Sequence, residues 1–274
     1  MPALIRFFLF LLICANYSAL AQTSTPTVSL KKVIHTEQIE QVFTIATQGI
    51  FVANTESILQ YSYDGSFISK HVLEHSNNDI CIDATNAFHI LIYDKDANRA
   101  TFADRWLRKI SELELDAAYK LACMAKTGDL WLYNSFNHSI IKYNPNLQQT
   151  LAEISLSNHF VRKEKVIDIK EFEHFIALRT NKNLYFLSAF GELVSKIEIT
   201  EHTLSHLGQE SLWLLKGRFL QKLNLYNKES TTYKVELSKP NEIKQFIVAE
   251  SEKKLILSSG NSLYLYELPS LVGH

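Results

Sequence analysis

Residues 130–151 read LWLYNSFNHSIIKYNPNLQQTL, and two other segments of the chain repeat the same pattern. These are residues 50–70, IFVANTESILQYSYDGSFISK, and residues 184–199, LYFLSAFGELVSKIEI. In each segment, short apolar blocks alternate with turn residues, which is typical of β-strands joined by hairpins. A pattern that recurs at a fixed period decides the fold before any single motif does.

Six such units can be aligned on one large apolar residue each, at intervals of 38, 42, 45, 37 and 43 residues. A second apolar position, one strand later, gives intervals of 41, 41, 44, 36 and 43 residues. Because two independent positions agree on one period, we infer a sixfold repeat. The first set is Ile50, Phe88, Leu130, Phe175, Leu212 and Leu255, and the second is Tyr61, Phe102, Tyr143, Leu187, Leu223 and Tyr266.

Turn residues such as Asp64-Gly65 and Asn144-Pro145 recur between the third and fourth apolar blocks of a unit. They supply the backbone angles that hairpins need, so each unit predicts four short antiparallel strands. About 40 residues with four strands is typical of one β-propeller blade. We therefore predict an all-β, six-bladed β-propeller in a single domain over residues 22–274. The predicted blades are residues 40–75, 78–114, 119–157, 165–200, 202–238, and 243–268 plus 28–35.

The last unit ends after its third strand, at Tyr266, so it lacks a fourth. Residues 28–34, VSLKKVI, resemble the fourth strands of other units, such as residues 196–199. We predict that this N-terminal strand completes the last blade and closes the ring, which removes two open sheet edges. Blade two is the least regular, because residues 97–109 have a weak strand pattern that also allows a helical turn.

Residues 128–133, GDLWLY, followed by Asn137-His138-Ser139-Ile140, resemble an NHL-type repeat. Residues 93–99 and 52–55 are weaker echoes of it, and units four to six keep the strands but lose the Asn-His turn. The resemblance covers residues 28–268 at the level of architecture. It implies a six-bladed propeller used mainly for binding, with occasional enzymes among its relatives, and it transfers no catalytic residue.

The charge balance of 28 basic and 29 acidic side chains disfavours nucleic acid as a partner, since its binders usually carry a basic surplus. Residues 1–21 predict a cleaved signal peptide, with Arg6 before an apolar run that ends in Ala19-Leu20-Ala21. A lipoprotein signal at Cys14 is the alternative. No later segment predicts a membrane span. We expect a monomeric chain, exported to the periplasm or the cell exterior.

Motifs for nucleophilic or phosphate chemistry are missing, because the chain has no G-x-S-x-G, G-x-G-x-x-G or P-loop pattern. Residues 94–98, DKDAN, place oxygen ligands alternately as a calcium loop does, but they lack its glycine and its distal glutamate. They fall where the repeat requires a turn. We therefore predict no cofactor and no metal, with calcium at these residues as the alternative.

Three aspartates are predicted on first strands, the innermost strands of a blade, where they would line the central channel: Asp79, Asp83 and Asp168. Asp168 precedes Phe175 by seven residues, the interval that separates Cys81, Cys123 and Phe43 from their own alignment residues. The three aspartates and His202 are candidates for a ligand site at the channel mouth. At this equivalence the two cysteines would lie on neighbouring blades, too far apart for a disulfide, and we predict free thiols.

Trp131 and Trp213 follow their alignment residues directly, so both are predicted in the core between blades. Trp106 breaks this pattern. Together with Phe102 and Arg105 it is a candidate for a partner-binding patch, because tryptophan and arginine are favoured in protein interfaces. The alternative is ordinary packing by the fourth strand.

Two functions are compatible with these residues. The first is a non-catalytic binding or scaffold propeller that recognises a protein, peptide or glycan through the loops of one face. The second is a propeller hydrolase or lactonase with a metal-assisted site in the channel. The missing catalytic motifs favour the first.

Overall fold

The computed structural model describes residues 25–45, 48–73, 79–116, 119–156, 164–199, 203–208 and 211–269. In these residues the chain forms β-strands and one short 3-10 helix, Pro240–Glu242. The predicted signal peptide lies outside the described residues. No helix in the described ranges has the length and hydrophobicity required to cross a membrane.

The strands form six sheets, and each contains four antiparallel strands, which follow chain order in five of the six. This confirms the predicted six-bladed β-propeller. Blades one to three contain β3 (Gln41–Ile45), β4 (Gly49–Ala53), β5 (Ser57–Tyr61), β6 (Phe67–Val72); β7 (Ile80–Asp83), β8 (Ile90–Asp94), β9 (Arg99–Ala103), β10 (Lys109–Glu114); and β11 (Leu121–Met124), β12 (Leu130–Asn134), β13 (Ser139–Asn144), β14 (Gln149–Ser155).

Blades four to six follow the same order, and the two strands that precede β3 join the last two blades. Their strands are β15 (Val166–Phe172), β16 (Phe175–Thr180), β17 (Asn183–Ser188), β18 (Leu193–Glu198); β19 (Thr203–Leu207), β20 (Ser211–Lys216), β21 (Phe219–Asn224), β22 (Ser230–Val235), with β1 (Thr27–Val28); and β23 (Gln245–Ala249), β24 (Lys254–Ser259), β25 (Ser262–Glu267), with β2 (Leu30–His35).

The first strand of each blade is innermost, since the first strands of neighbouring blades pack against one another at five of the six junctions around the ring axis. The blade faces carry the apolar residues, which pack against the next blade in clusters such as that of Trp131 and Tyr185. Trp131 and Trp213 are 3% and 2% exposed, as predicted for residues between blades. This arrangement follows from strand alternation, which gives each sheet two apolar faces.

The ring closes as predicted, through antiparallel pairing of β2 with β25 from Leu30 opposite Tyr266 to His35 opposite Ser262. One detail differs. Only residues 30–35 complete blade six, because Thr27 and Val28 pair in parallel with Lys234 and Val235 of blade five. Val28 is fully buried there. The N-terminal segment therefore pairs with strands of two blades, five and six, instead of one.

Blade two is regular, with strands β9 and β10 joined by a tight turn at residues 104–108. In two blades, however, the residue that matches Ile50 differs from the one expected from the sequence. Phe88 is 70% exposed in a turn, and Ile90 is the buried residue that matches Ile50. In blade four the matching residue is Ile176, one position after Phe175. Phe88 is thus an exposed aromatic residue on a turn and does not belong to the core.

Gly49 begins β4 with a φ of +123°, and a Cβ there would overlap the carbonyl oxygen of Tyr61 on the next strand. We expect Gly49→Ala to lower the free energy of unfolding by about 2–5 kcal/mol, because backbone strain and overpacking combine. Gly217→Ala is the control, since its φ is +57° but nothing lies within 4 Å of the new Cβ. It should cost only about 1 kcal/mol. Equal losses in urea unfolding would contradict this reading of the β4–β5 contact.

Candidate functional site

Each inner strand presents two residues, two positions apart, on the sheet face that meets the next blade. Here they are called the first and second girdle positions. The register opposite the second strands places them in all six blades. The first girdle positions are Gln41, Cys81, Leu121, Asp168, Leu204 and Gln245, and the second are Phe43, Asp83, Cys123, Lys170, His206 and Ile247.

Glutamines at first girdle positions bind the free edge of the next inner strand. Gln41 donates to the carbonyl of Ile82 at 2.8 Å and accepts from its N–H at 2.9 Å. Gln245 accepts from the N–H of Val42 at 2.9 Å and donates to the carbonyl of Glu40 at 2.6 Å. These bonds satisfy backbone groups that have no strand partner toward the axis. Part of the channel wall is therefore structural.

Asp83 has the same role at the next junction. Its Oδ2 accepts from the N–H of Met124 in blade three at 2.8 Å, and its Oδ1 accepts from the N–H and hydroxyl of Thr85 at 3.0 and 2.6 Å. The residue is 6% exposed. Asp83 therefore accepts three hydrogen bonds and links blade two to blade three. These hydrogen bonds offset the cost of burying its carboxylate.

Cys81 and Cys123 are both free thiols, as predicted. Their equivalence was not as predicted, because Cys81 shares its position with Asp168 and Cys123 shares its position with Asp83. The Cys81 thiol lies 3.6 Å from the carbonyl of Ala122. Burial raises the pKa of Cys81 to about 12 and raises that of Cys123 as well, and nearby carboxylates add to both shifts. Both side chains are therefore uncharged thiols at neutral pH.

His206 lies half-buried between blades five and six. It hydrogen-bonds to the backbone of Val248 and packs edge-to-face on Phe246, with ring centroids 6.1 Å apart. Burial, together with the Lys170 ammonium, lowers the pKa of His206 to about 3. The ring is therefore neutral at physiological pH.

Blade two has one charged residue at a girdle position, Asp83, whereas blade four has a charged residue at each of its two. Asp168 and Lys170 occupy its two girdle positions, and Arg179 lies directly opposite Asp168 on β16. Burial raises the pKa of Asp168. Burial lowers the pKa of Lys170, but Asp168 and Asp83 outweigh this, so the pKa is raised overall and the ammonium stays charged. These three side chains form the most strongly charged part of the inner ring.

Of the predicted channel candidates, Asp83 and Asp168 lie close enough for their charges to interact, but Asp79 does not join them. Asp79 lies before β7 and forms an ion pair with Lys95 of the 2–3 turn, with 58% of its side chain exposed. Asp83 and Asp168 lie on inner strands of different blades. His202 lies outside the described residues. Within the described ranges, no group of three histidine, cysteine or acidic side chains has a spacing that could hold a metal ion.

The predicted calcium loop is a turn that its own carboxylate stabilises. Asp94 is 8% exposed, and its Oδ1 accepts from the N–H groups of Asp96 and Ala97 at 3.0 and 2.9 Å. An aspartate in this role favours a turn because its side chain replaces a backbone acceptor. The turn that the repeat requires accounts for this pattern.

A second candidate region is formed by aromatic residues on turns. Five exposed aromatic side chains each follow, two positions later, a polar residue whose side chain accepts the N–H of the aromatic residue. The pairs are Asn86 with Phe88 (3.0 Å), Asp104 with Trp106 (2.9 Å), Asn134 with Phe136 (2.9 Å), Ser188 with Phe190 (3.3 Å) and Asn224 with Tyr226 (2.9 Å). Their exposed fractions are 70%, 48%, 94%, 89% and 56% in the same order.

Four of these five lie at one end of the ring, here called the first face. In an antiparallel blade the 1–2 and 3–4 turns emerge at one end and the 2–3 turn at the other. Phe88 lies in a 1–2 turn, whereas Trp106, Phe190 and Tyr226 lie in 3–4 turns of three different blades. Tyr226 also hydrogen-bonds to Glu173 in the 1–2 turn of blade four, which joins the two blades at this face.

Trp106 carries the most elaborate of these turns. Two guanidinium groups pack on its ring, Arg105 at 4.1 Å and Arg108 at 4.7 Å from the centroid. Arg108 is in turn ion-paired with Asp104 at 2.6 Å. Phe102, the third residue of the predicted patch, is 5% exposed and packs in the core. The exposed patch therefore consists of the turn around Trp106 without Phe102, which faces blade three within a buried cluster.

Comparison with solved structures places this fold among β-propellers of different activities. A streptogramin B lyase structure aligns with a TM-score of 0.55 and 12% identity over 86% of this chain and 85% of that chain. The β-propeller domain of Myceliophteria thermophila Cps50 (Swd1) aligns with a TM-score of 0.60 and 9% identity over 88% and 100%. The Neurospora crassa Pan2 WD40 domain aligns with a TM-score of 0.53 and 11% identity over 85% and 76%.

These neighbours share the propeller architecture, and they include an enzyme as well as WD40 domains. At such low identity the likeness shows the fold alone. No protein-family model matches the chain. No curated protein matches it by sequence either. The class that fold and comparisons define is thus the six-bladed β-propeller.

His206 gives a testable pH dependence. Its folded-state pKa lies below the unfolded value of about 6.5, so the unfolded chain binds the proton first as the pH falls. Its contribution to stability is complete above pH 6.5 and is lost as the pH falls toward 3. We expect the free energy of unfolding of the wild type to fall more steeply than that of His206→Gln between pH 6 and 4, by up to about 1.4 kcal/mol per pH unit.

The measurement is urea unfolding at several pH values. Above pH 7 the unfolding free energies of the wild type and His206→Gln should run parallel against pH. The lost packing of the imidazole ring should add only a constant offset. Identical slopes below pH 6 would contradict a neutral His206 with a lowered pKa.

Proposed function

We propose that this chain is a non-catalytic binding propeller, exported from the cell, that recognises a protein, a peptide or a glycan through its first face. The observation that carries the proposal is the set of exposed aromatic side chains on turns fixed by side-chain hydrogen bonds. Phe88, Trp106, Phe190 and Tyr226 extend this set over blades two, four and five. Their repeated geometry indicates a surface, not isolated exposed residues.

The physical advantage of this arrangement is preorganisation. A side chain that is already held in place loses little conformational entropy when a partner binds. Aromatic rings also offer a large contact area for few rotatable bonds, and for this reason they are common in paratopes. At Trp106 the two stacked guanidinium groups add hydrogen-bond donors beside the ring, a combination that is frequent among interface hot spots.

The finer resemblance to NHL-type repeats supports a binding role, because propellers of that kind are used mainly for binding. The residues that carry it are the Asn137-His138 turn and the strand before it. We propose that the chain acts as a monomer and without a cofactor. We also propose that residues 1–21 direct its export as a cleaved signal peptide. A metal-assisted hydrolase remains the alternative. It would need Asp79, Asp83 and Asp168 to converge, but Asp79 and Asp83 are bound to Lys95 and to Met124 and Thr85 instead.

The proposal can be tested with a displayed random-peptide library and a glycan array, both probed with the purified chain. We expect ligands that bind the wild type to lose at least about tenfold in affinity for the triple variant Trp106→Ala, Phe190→Ala, Tyr226→Ala, because truncated hot-spot residues cost about 2 kcal/mol or more. All three side chains are about half exposed or more, so the fold should survive.

Phe136→Ala is the matched control, because Phe136 is 94% exposed on the same kind of turn at the opposite end of the ring. It should leave affinity unchanged. Ligands that tolerate the triple variant, or lose as much with Phe136→Ala, would overturn the assignment of the first face.

A further inference from the structure

A cavity of about 200 Å³ lies at the junction between blades five and six. Its walls come from strand residues of blade five and from two segments of blade six, the β23–β24 turn and the residues that follow β25. The lining includes Trp213, Lys222 and Tyr233 of blade five and Glu250, Lys253 and Leu268 of blade six. Trp213 and Tyr233 are each 2% exposed and stack with their ring centroids 6.0 Å apart, so buried aromatic rings back the cavity.

The equivalent places at two other junctions are closed by a turn. There a glycine in the 3–4 turn of one blade packs on an isoleucine in the fourth strand of the blade before it. Gly191 of blade four approaches Ile154 of blade three in this way, and Gly65 of blade one approaches Ile34 of β2. A Cβ on either glycine would overlap the isoleucine side chain, so these turns leave no space above the fourth strand.

Blade six has no 3–4 turn, because its fourth strand β2 comes from the N-terminal segment. Leu268 and Pro269 follow β25 instead, and both line the cavity. By strand register, Tyr233 of β22 takes the place that Ile154 has in β14. The cavity therefore lies where the other blades place a turn, and the way in which the ring closes creates it.

The charged groups of the cavity favour an anion. Both oxygens of Glu250 are already bound, Oε1 by the indole N–H of Trp213 at 2.8 Å and Oε2 by the Lys222 ammonium at 3.2 Å. An ammonium has three N–H donors, and this bond uses one of them. Together with Lys253, the wall carries two positive charges against one negative charge. A cationic ligand would therefore be repelled and an anionic ligand attracted.

Tyr233 adds a neutral donor to this wall. Within the described ranges its hydroxyl forms no hydrogen bond, although the residue is 2% exposed. Buried hydroxyl groups usually have a partner, which a ligand in the cavity would supply. Burial, together with the nearby Glu250 carboxylate, raises the pKa of Tyr233, so the hydroxyl keeps its proton at neutral pH.

The size and the walls of the cavity define the rest of the ligand. A cavity of about 150 Å³ is enough for benzene, so this one has room for a ring with a short side chain. We propose that the cavity binds a small aromatic carboxylic acid, with its ring against Tyr233, Leu268 and Pro269 and its carboxylate bound by Lys222 and Tyr233. Ammonium groups form strong, charge-assisted hydrogen bonds with carboxylates, and apolar walls with a few polar groups are typical of small-molecule sites.

This site is independent of the function proposed for the first face. None of the four exposed aromatic residues of that face is among the residues that line the cavity. Binding of a small acid here and recognition of a partner there can therefore be tested separately.

Isothermal titration calorimetry tests the site. The purified chain is titrated at pH 7 with sodium phenylacetate and, separately, with sodium acetate and with 2-phenylethylamine hydrochloride, all at one constant ionic strength. We expect saturable binding of phenylacetate at one site per chain. The other two compounds should bind at least about tenfold more weakly, because acetate lacks the ring and phenylethylammonium carries the opposite charge.

Lys222→Met should weaken phenylacetate binding at least about tenfold, the loss expected when one charge-assisted hydrogen-bonding group is removed. Lys142→Met is the matched control, because Lys142 also lies over a tryptophan, 5.5 Å from the ring centroid of Trp131, but in blade three. It should bind like the wild type. Tyr233→Phe removes only the hydroxyl oxygen and should weaken binding about threefold to tenfold, which keeps the test decisive if Lys222→Met does not fold.

Four results would overturn the proposal. They are no saturable heat with phenylacetate, an equal affinity for acetate or phenylethylamine, unchanged affinity in the folded Lys222→Met and Tyr233→Phe variants, and an equal loss in Lys142→Met.

Discussion

The closure of the ring by a strand from the opposite end of the chain is the constraint on which the rest of the structure depends. Blade six supplies only three strands of its own, and β2 completes it through antiparallel pairing with β25. Without that strand, Leu263 and Leu265, which are 0% and 3% exposed, would lose cover on their outer side. Every blade buries its faces against two neighbours, so a ring open at one junction would expose apolar surface at the centre of the fold.

A second constraint acts at the axis, where the inner strands have no strand partner. The protein meets it with side chains that bind the backbone of the next blade, as Gln41, Asp83 and Gln245 do. In the sequence these residues look like candidates for lining the channel. In the structure they link neighbouring blades through hydrogen bonds. Lys170 also occupies a girdle position, but in the described residues no hydrogen bond joins it to a neighbouring blade. A polar residue at this place is thus informative only once its partners are known.

The repeat made the fold predictable. Its period, its turns and the missing strand of the last unit gave six blades and their closure, because these features depend on chain order and apolar alternation. The alignment failed at Phe88, since an aromatic residue on a turn has the same hydrophobicity as one in the core. The signal that separates them is the asparagine two positions earlier, and the same polar-x-aromatic spacing marks Trp106, Phe190 and Tyr226.

The candidate site was less predictable than the fold. Asp168 was recognised as unusual, but its neighbours Lys170 and Arg179 were missed, because their proximity depends on strand register in a blade whose alignment was offset by one residue. Tyr226 and Phe190 were missed because no local rule states at which end of a ring a turn will emerge. Phe102 was placed on the surface because it lies close to Trp106 in sequence, and strand alternation turns it into the core.

The closing strand also sets the order of events during folding. Residues 35 and 262 hydrogen-bond to each other although they are 227 positions apart in the chain. The earlier strand β2 must therefore wait until its later partner β25 has been synthesised, and until then blade six has an open edge. Contacts of such long range slow folding and leave strand edges exposed to other chains in the meantime. The pairing of β2 with β25 stabilises the finished ring. Before this pairing forms, the chain is most vulnerable to aggregation.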